Sequence, residues 1–179
     1  FLGSFVLAAG LNKYKLDVKI AKEMLRRAGK APNNIMLALM GITAFLSLWM
    51  SNTATTALMV TLAVPIYTQI PKDEKFKKAL ILGIPFAANI GGMGTPIGTP
   101  PNAIIMEELS GSGFAIGFLD WMIIAMPLTL IMLFFAFGLL FFSFKPSLNK
   151  LNIDFETKTT KGFSKKQKFV LLIFALTVA

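Results

Sequence analysis

Residues 88–102, ANIGGMGTPIGTPPN, interrupt an otherwise apolar run that extends from Phe76 to about Ser110. The stretch holds four glycines and three prolines in fifteen residues, a density that a regular helix does not tolerate. Pro100 and Pro101 suit the first turn of a new helix, where the missing N–H leaves no hydrogen bond unmade. We therefore predict that the run crosses a membrane as two half-helices joined by an irregular loop.

A second interruption lies in the preceding apolar run, at residues 51–56, SNTATT. This run has about 37 residues, from Asn34 to Ile70, and basic stretches flank both of its ends. Two complete crossings of a bilayer need about 20 residues each plus a turn, so the run is slightly too short to cross twice. We predict a re-entrant helical hairpin whose tip lies inside the bilayer, where irregular backbone is tolerated beside protein or water. Alternatively, the polar tip residues serve only to satisfy their own backbone.

The composition of the chain indicates a membrane protein. Of its 179 residues, 55% are hydrophobic and 15% are charged, and the mean hydropathy is +0.67. A soluble domain would have about 45–50% apolar and about 25% charged residues. Cysteine and histidine are both absent, which excludes disulfides and leaves no nucleophile–base pair for an enzyme. We predict neither enzymatic activity nor an organic cofactor.

The basic residues are confined to three stretches, although the net charge is +9. All 18 lysines and arginines fall within residues 13–30, 72–78 and 145–168. Short basic loops mark the cytoplasmic side of a membrane protein, so we predict a multi-pass protein of the inner membrane with these loops in the cytoplasm. A nucleic-acid partner would need a basic face on a soluble fold, and we predict none.

These patterns predict an all-α membrane protein with spanning helices, a re-entrant helical hairpin and a broken helix. Both termini read as parts of apolar helices, so we expect an internal part of a longer polypeptide. The basic segment at residues 12–30 has a helical pattern that suits the membrane interface, although an ordinary loop helix would show the same pattern. The predicted segments are 1–11, the end of a scaffold helix; 12–30, an interfacial arm helix; 31–71, the hairpin; 72–111, the broken helix; 112–144, a spanning helix; 145–168, a cytoplasmic basic loop; and 169–179, the start of another helix.

The two interrupted elements carry groups that could bind a cation and an anion side by side. Ser47, Ser51 and Asn52 provide side-chain oxygens, and the end of the first hairpin arm provides unpaired carbonyls, which suit a hard cation such as sodium. A carboxylate could lie between Asn52-Thr53 and Thr99-Pro100, because helix N-termini attract anions. Neither element contains Asp, Glu or His, the usual proton relays, so sodium coupling is favoured over proton coupling.

The motif SLWMSNT at residues 47–53, followed by NIGGMGTPIGTPPN at residues 89–102, resembles the divalent anion/sodium symporters. This family includes sodium-coupled dicarboxylate, citrate and sulfate carriers. The resemblance implies an elevator-type homodimer in which each full protomer has two inverted repeats, and this chain has the motifs of one repeat. It also implies a first sodium site at Ser47, Ser51, Asn52 and Gly98, and carboxylate contacts from Asn52, Thr53 and Thr99 with Pro100 nearby.

Four functional hypotheses follow from the sequence. The leading one is sodium-coupled symport of di- or tricarboxylates or another divalent anion. A sodium-independent carboxylate exchanger on the same fold is the first alternative. An ion channel would need a ring of subunits or a charged lining, and neither is indicated. A membrane enzyme is disfavoured by the missing nucleophile–base pair.

Overall fold

The architecture is entirely helical in a computed structural model that describes residues 9–10, 13–114, 116–148, 150–151, 164, 167–170 and 172. No β-strand occurs among these residues, which confirms the all-α prediction. Most of the predicted segments 1–11 and 169–179, and most of the loop 145–168, lie outside the described residues. The main helices are α1 (Leu16–Arg27), α2 (Pro32–Ser47), α3 (Asn52–Gln69), α4 (Phe76–Gly92), α5 (Pro100–Gly111) and α6 (Phe118–Ser143).

Helix α4 is the centre of this arrangement and packs against α2, α3 and α6. Its side chains Phe76, Ile84 and Ala87 are fully buried. The contact with α2 is close enough to require glycine, since a Cβ at Gly91 would lie 2.3 Å from the carbonyl oxygen of Ala44. Small residues allow helix backbones to approach in this way, and the resulting van der Waals contact holds membrane helices together.

Helix α6 is long and apolar enough to cross a membrane, the one helix in the described part of the chain that meets both conditions. Its 26 residues correspond to about 39 Å of helix. Most of its large apolar side chains face outward, and Phe142 is 80% exposed. Helix α2 is also apolar but, with 16 residues, is shorter than α6.

The turn between α2 and α3 comprises residues 48–51, whereas the sequence predicted an interruption at residues 51–56. Residues 52–56 instead form the first turn and a half of α3. Ser51 precedes this helix as its N-cap and accepts a hydrogen bond from the amide of Ala54 at 3.3 Å. Ser, Asn and Thr are common at helix starts because their side chains satisfy the unpaired N–H groups there. The polar run that was predicted to break the helix therefore begins one.

The connections that follow α1, α3 and α6 meet at one end of the molecule. The amide of Leu151 donates to the carbonyl of Lys30 at 2.9 Å. The carboxylate of Glu74 accepts hydrogen bonds from both the amide and the hydroxyl of Ser147. The bond from the Ser147 hydroxyl is the main reason why the pKa of Glu74 lies below its ordinary value of 4.5. Burial acts in the opposite direction, because it favours the uncharged carboxyl group. Parts of all three basic stretches are thereby brought to the same face.

Candidate functional site

The turn between α2 and α3 places two polar side chains in direct contact. Ser47 is the last residue of α2 and is fully buried, and Asn52 is the first residue of α3. The Ser47 hydroxyl donates to Oδ1 of Asn52 at 2.7 Å. The short turn brings these residues together because it reverses the chain within four residues. Two oxygens therefore lie side by side at the tip of the hairpin.

The side chain of Asn52 also bonds to helix α4. Its Nδ2 donates to Oδ1 of Asn89 at 3.1 Å. One turn further along α4, a Cβ at Gly92 would lie only 2.4 Å from Oδ1 of Asn52. A glycine is therefore required there, because any larger residue would displace the asparagine amide. Asn52 thus lies between the end of α2 and the end of α4.

The break between α4 and α5 is closed by hydrogen bonds from Asn102. This side chain is 5% exposed, and its Nδ2 donates to the carbonyls of Gly92 at 2.9 Å and Thr95 at 2.8 Å. A broken helix leaves carbonyls without intrahelical partners, and burial makes such groups costly unless they are bonded. Gly98 packs directly on this corner, since a Cβ there would lie 2.5 Å from the Gly92 carbonyl oxygen. The irregular loop is therefore a defined, internally bonded structure.

Two further contacts attach this loop to its neighbours. The buried hydroxyl of Thr95 donates to the carbonyl of Leu48, in the hairpin turn, at 2.5 Å. The indole Nε1 of Trp121, near the start of α6, donates to the carbonyl of Met93 at 3.1 Å. The hairpin tip, the helix break and α6 are consequently bonded to one another, mostly through backbone carbonyls.

An open concavity adjoins this cluster on the hairpin side. Its lining residues are Asn52, Thr53, Thr56, Ala57 and Asn89. The first two turns of α3 contribute four of them, so the unpaired N–H groups of that helix start lie at its edge. No Asp, Glu, Lys or Arg occurs in residues 31–71 or 79–106. The polarity of this region therefore comes from amides, hydroxyls and helix ends.

The predicted site residues divide into three groups in the structure. Ser47 and Asn52 are bonded to each other, and Gly98 touches Gly92, which in turn touches Asn52. Thr53 shares the concavity with Asn52, whereas Ser51 serves as the N-cap of α3. Thr99 and Pro100 form the N-cap and the first residue of α5 and are not among the residues that line the concavity.

Four side chains in the cluster were not predicted as site residues. Asn89 and Asn102 lie at the two ends of the glycine- and proline-rich stretch, and Thr95 lies in its middle, so their position in the motif was the available signal. Trp121 comes from another helix and carried no local signal. Its role follows only from the packing of α6 on the helix break.

Interrupted apolar helices whose breaks meet in an uncharged polar cluster are typical of secondary transporters. The family described as citrate transporters matches residues 1–179, and the chain belongs to this family. This match confirms the resemblance inferred from the two motifs, and it makes the protein a member of a family of membrane transporters.

Named relatives agree with this assignment. The chain is 42% identical to an uncharacterized transporter of Haemophilus influenzae, over 87% of this chain and 32% of that protein. It is 33% identical to a sodium-dependent dicarboxylate transporter of Staphylococcus saprophyticus, over 98% of this chain and 37% of that protein. It is 32% identical to an inorganic phosphate transporter of Saccharomyces cerevisiae, over 99% of this chain and 19% of that protein. In each case the chain spans well under half of its relative's length.

Proposed function

We propose that the protein containing this chain transports di- or tricarboxylate anions across a membrane and couples their movement to sodium. The observation that carries the proposal is that the bonded pair of Ser47 and Asn52 at the hairpin tip lies directly against Gly92, at the end of α4 where the helix breaks. The cluster is polar and uncharged, as expected of a site that binds a cation and an anion together. The sodium-dependent dicarboxylate transporter among the relatives supports the same chemistry.

The proposed sodium site consists of Ser47, Ser51, Asn52 and Gly98. Sodium, the proposed co-substrate, is a hard cation and therefore prefers oxygen ligands, as calcium and magnesium do. Support comes from the adjacent oxygens of Ser47 and Asn52 and from the position of Gly98 against the Gly92 carbonyl. The end of α2 adds carbonyls, and its partial negative charge favours a cation.

The proposed anion site consists of Asn52, Thr53, Thr99 and Pro100. Asn52 and Thr53 lie at the start of α3 and line the open concavity. Thr99 and Pro100 lie at the start of α5, where Pro100 has no N–H of its own. The start of α3 would provide N–H groups to a carboxylate, and the partial positive charge at both helix starts would attract it without any lysine or arginine.

The proposed topology places α2 and α3 as a re-entrant hairpin, α4 and α5 as a broken spanning helix, and α6 as a spanning helix. The basic ends would face the cytoplasm, with α1 as an interfacial arm. Support comes from the bonds that gather the three basic stretches on one face, because short basic loops remain in the cytoplasm. We further propose an inner-membrane homodimer that works as an elevator, with a second inverted repeat in each full protomer.

Inorganic phosphate is a second candidate substrate. It is favoured by the 32% identity to a yeast protein named as an inorganic phosphate transporter. Phosphate presents anionic oxygens, as carboxylates do, and helix starts bind both. The two substrates can be separated by competition in one assay.

Uptake into proteoliposomes that contain the full-length protein tests the proposal. Labelled succinate or citrate should accumulate with an inward sodium gradient and should not accumulate when choline replaces sodium. Excess unlabelled phosphate should leave this uptake unchanged. Uptake that is independent of sodium and requires preloaded carboxylate would instead identify an exchanger, and single-channel currents would identify a channel.

A further inference from the structure

We propose that Asn89 is a positioning residue that holds the carbonyl end of the Asn52 amide toward the cation, an inference that rests on the sodium coupling proposed above. The two ends of an asparagine amide differ chemically, because Oδ1 accepts hydrogen bonds and Nδ2 only donates them. A cation binds the oxygen and is repelled by the NH₂ group. The orientation of this amide therefore decides whether Asn52 can be a sodium ligand.

The neighbours of Asn52 distinguish its two ends. Oδ1 accepts the bond from Ser47 and faces Gly92, since it is the atom nearest to a Cβ built at that glycine. Nδ2 donates to Oδ1 of Asn89. The oxygen thus points to Ser47 and to Gly92 at the end of α4, and the NH₂ group points to Asn89, one turn earlier on the same helix.

Ser47 cannot set this orientation by itself. A serine hydroxyl donates to an amide oxygen as readily as it accepts from an amide NH₂, so it satisfies either rotamer. In this structure the second partner, Asn89, presents its Oδ1 to Nδ2 of Asn52, and this pairing keeps the NH₂ group away from the cation. Loss of this acceptor would allow the Asn52 amide to rotate and present its NH₂ group to sodium.

Asn89 acts on sodium binding without being a ligand in this arrangement. Its Oδ1 faces the NH₂ group of Asn52, and its side chain is exposed at the edge of the concavity. Because it comes from α4 whereas Asn52 begins α3, its bond also depends on the packing of the hairpin against the central helix. A substitution that keeps an acceptor at this position should preserve sodium binding, and one that removes it should not.

Two variants of the full-length protein separate these cases. Asn89→Asp places an acceptor-only carboxylate where Oδ1 stands, whereas Asn89→Leu keeps the size and removes the acceptor. Sodium-dependent thermal stabilisation is measured in detergent without substrate, with choline replacing sodium at constant ionic strength. Uptake at saturating carboxylate gives a second value for the sodium concentration at half-maximal rate.

Asn89→Leu should raise the half-saturating sodium concentration about tenfold in both assays. For Asn89→Asp, this concentration should stay within about threefold of the wild-type value in the substrate-free assay. Asn33→Leu, which changes an exposed asparagine in the first turn of α2, is the matched control and should leave both values unchanged. Asn89→Ala replaces Asn89→Leu in the same assays if the latter fails to reach the membrane.

The outcomes distinguish this inference from the proposed function. A wild-type protein without sodium-dependent uptake or stabilisation would overturn both. A wild-type protein that depends on sodium, together with an Asn89→Leu variant of unchanged sodium affinity, would overturn the positioning role alone. Equal loss of sodium affinity in Asn89→Asp and Asn89→Leu would do the same.

Discussion

The hydroxyl of Thr95 donates a buried hydrogen bond to the carbonyl of Leu48, and this bond links the break in the α4–α5 element to the α2–α3 turn. The two residues are 47 positions apart in the sequence. Each belongs to a segment of irregular backbone, and such segments carry carbonyls that no helix satisfies. Their bond therefore fixes the relative position of the two segments that form the proposed site.

Thr95→Val should destabilise the protein by about 1–3 kcal/mol, because it removes the donor and leaves the Leu48 carbonyl buried without it. Valine has nearly the same shape, so packing should change little. The melting temperature of the purified protein in detergent measures this effect.

Thr129→Val is the control for this change. Thr129 is also buried, and its hydroxyl has no hydrogen-bond partner among the described residues. Its removal should be neutral or stabilising. Equal destabilisation by the two variants would contradict the role assigned to the Thr95 bond.

Asn52→Ala and Thr53→Ala should each abolish or strongly weaken carboxylate uptake while membrane insertion remains intact. Asn52 lies in both proposed sites, and Thr53 lines the concavity at the start of α3. Initial uptake rates in proteoliposomes, normalised to the amount of inserted protein, test this expectation.

Thr61→Ala is the matched control on the same helix. Thr61 is exposed, and its hydroxyl donates only to the carbonyl of Ala57 within α3. Its uptake should equal that of the wild type. Near-normal uptake by both site variants would refute the proposed anion site.

Gly92→Ala should impair transport more than it impairs folding. The new methyl group would lie 2.4 Å from Oδ1 of Asn52, so the amide must move away from Ser47. The half-saturating sodium concentration should rise about tenfold, which corresponds to about 1.4 kcal/mol.

Gly111→Ala provides the comparison. This glycine ends α5, and a Cβ there would have no neighbour within 4 Å among the described residues. Sodium dependence should be unchanged in this variant. A Gly92→Ala protein with wild-type sodium affinity would show that the Asn52 amide is not at the cation site.

Glu74→Gln should lower the melting temperature at neutral pH, and the difference from the wild type should vanish in acid. The Ser147 hydroxyl bond keeps the pKa of Glu74 below 4.5 in the folded protein. A carboxylate with a lowered folded-state pKa stabilises the fold above its unfolded-state pKa, and this contribution is lost as the pH falls through the lowered value.

Melting temperatures between pH 7 and pH 3 measure this effect. Asp73→Asn, in the same loop and exposed, is the control for a general loss of negative charge. A Glu74→Gln difference that persists unchanged at pH 3 would show that the carboxylate charge is not its cause.

Much of the fold was predictable from local patterns. Apolar runs indicated helices, and the start of α5 at Pro100 agrees with the preference of proline for the first turn of a helix. The turn after α2 was displaced by a few residues, because Ser and Thr were interpreted as helix breakers although Ser51 caps α3. Local sequence does not distinguish a polar residue that ends a helix from one that begins the next.

The sequence by itself determined the polar, uncharged character of the two interrupted segments and the residue types available to bind ions. It did so because composition and helix-breaking residues act locally. Only the tertiary structure decided three hydrogen bonds, which join Asn52 to Asn89, Thr95 to Leu48, and Trp121 to Met93. These pairs lie 28 to 47 residues apart, and the first two meet because glycines on α4 allow close approach to the hairpin. Such contacts depend on how helices pack, which no local pattern specifies.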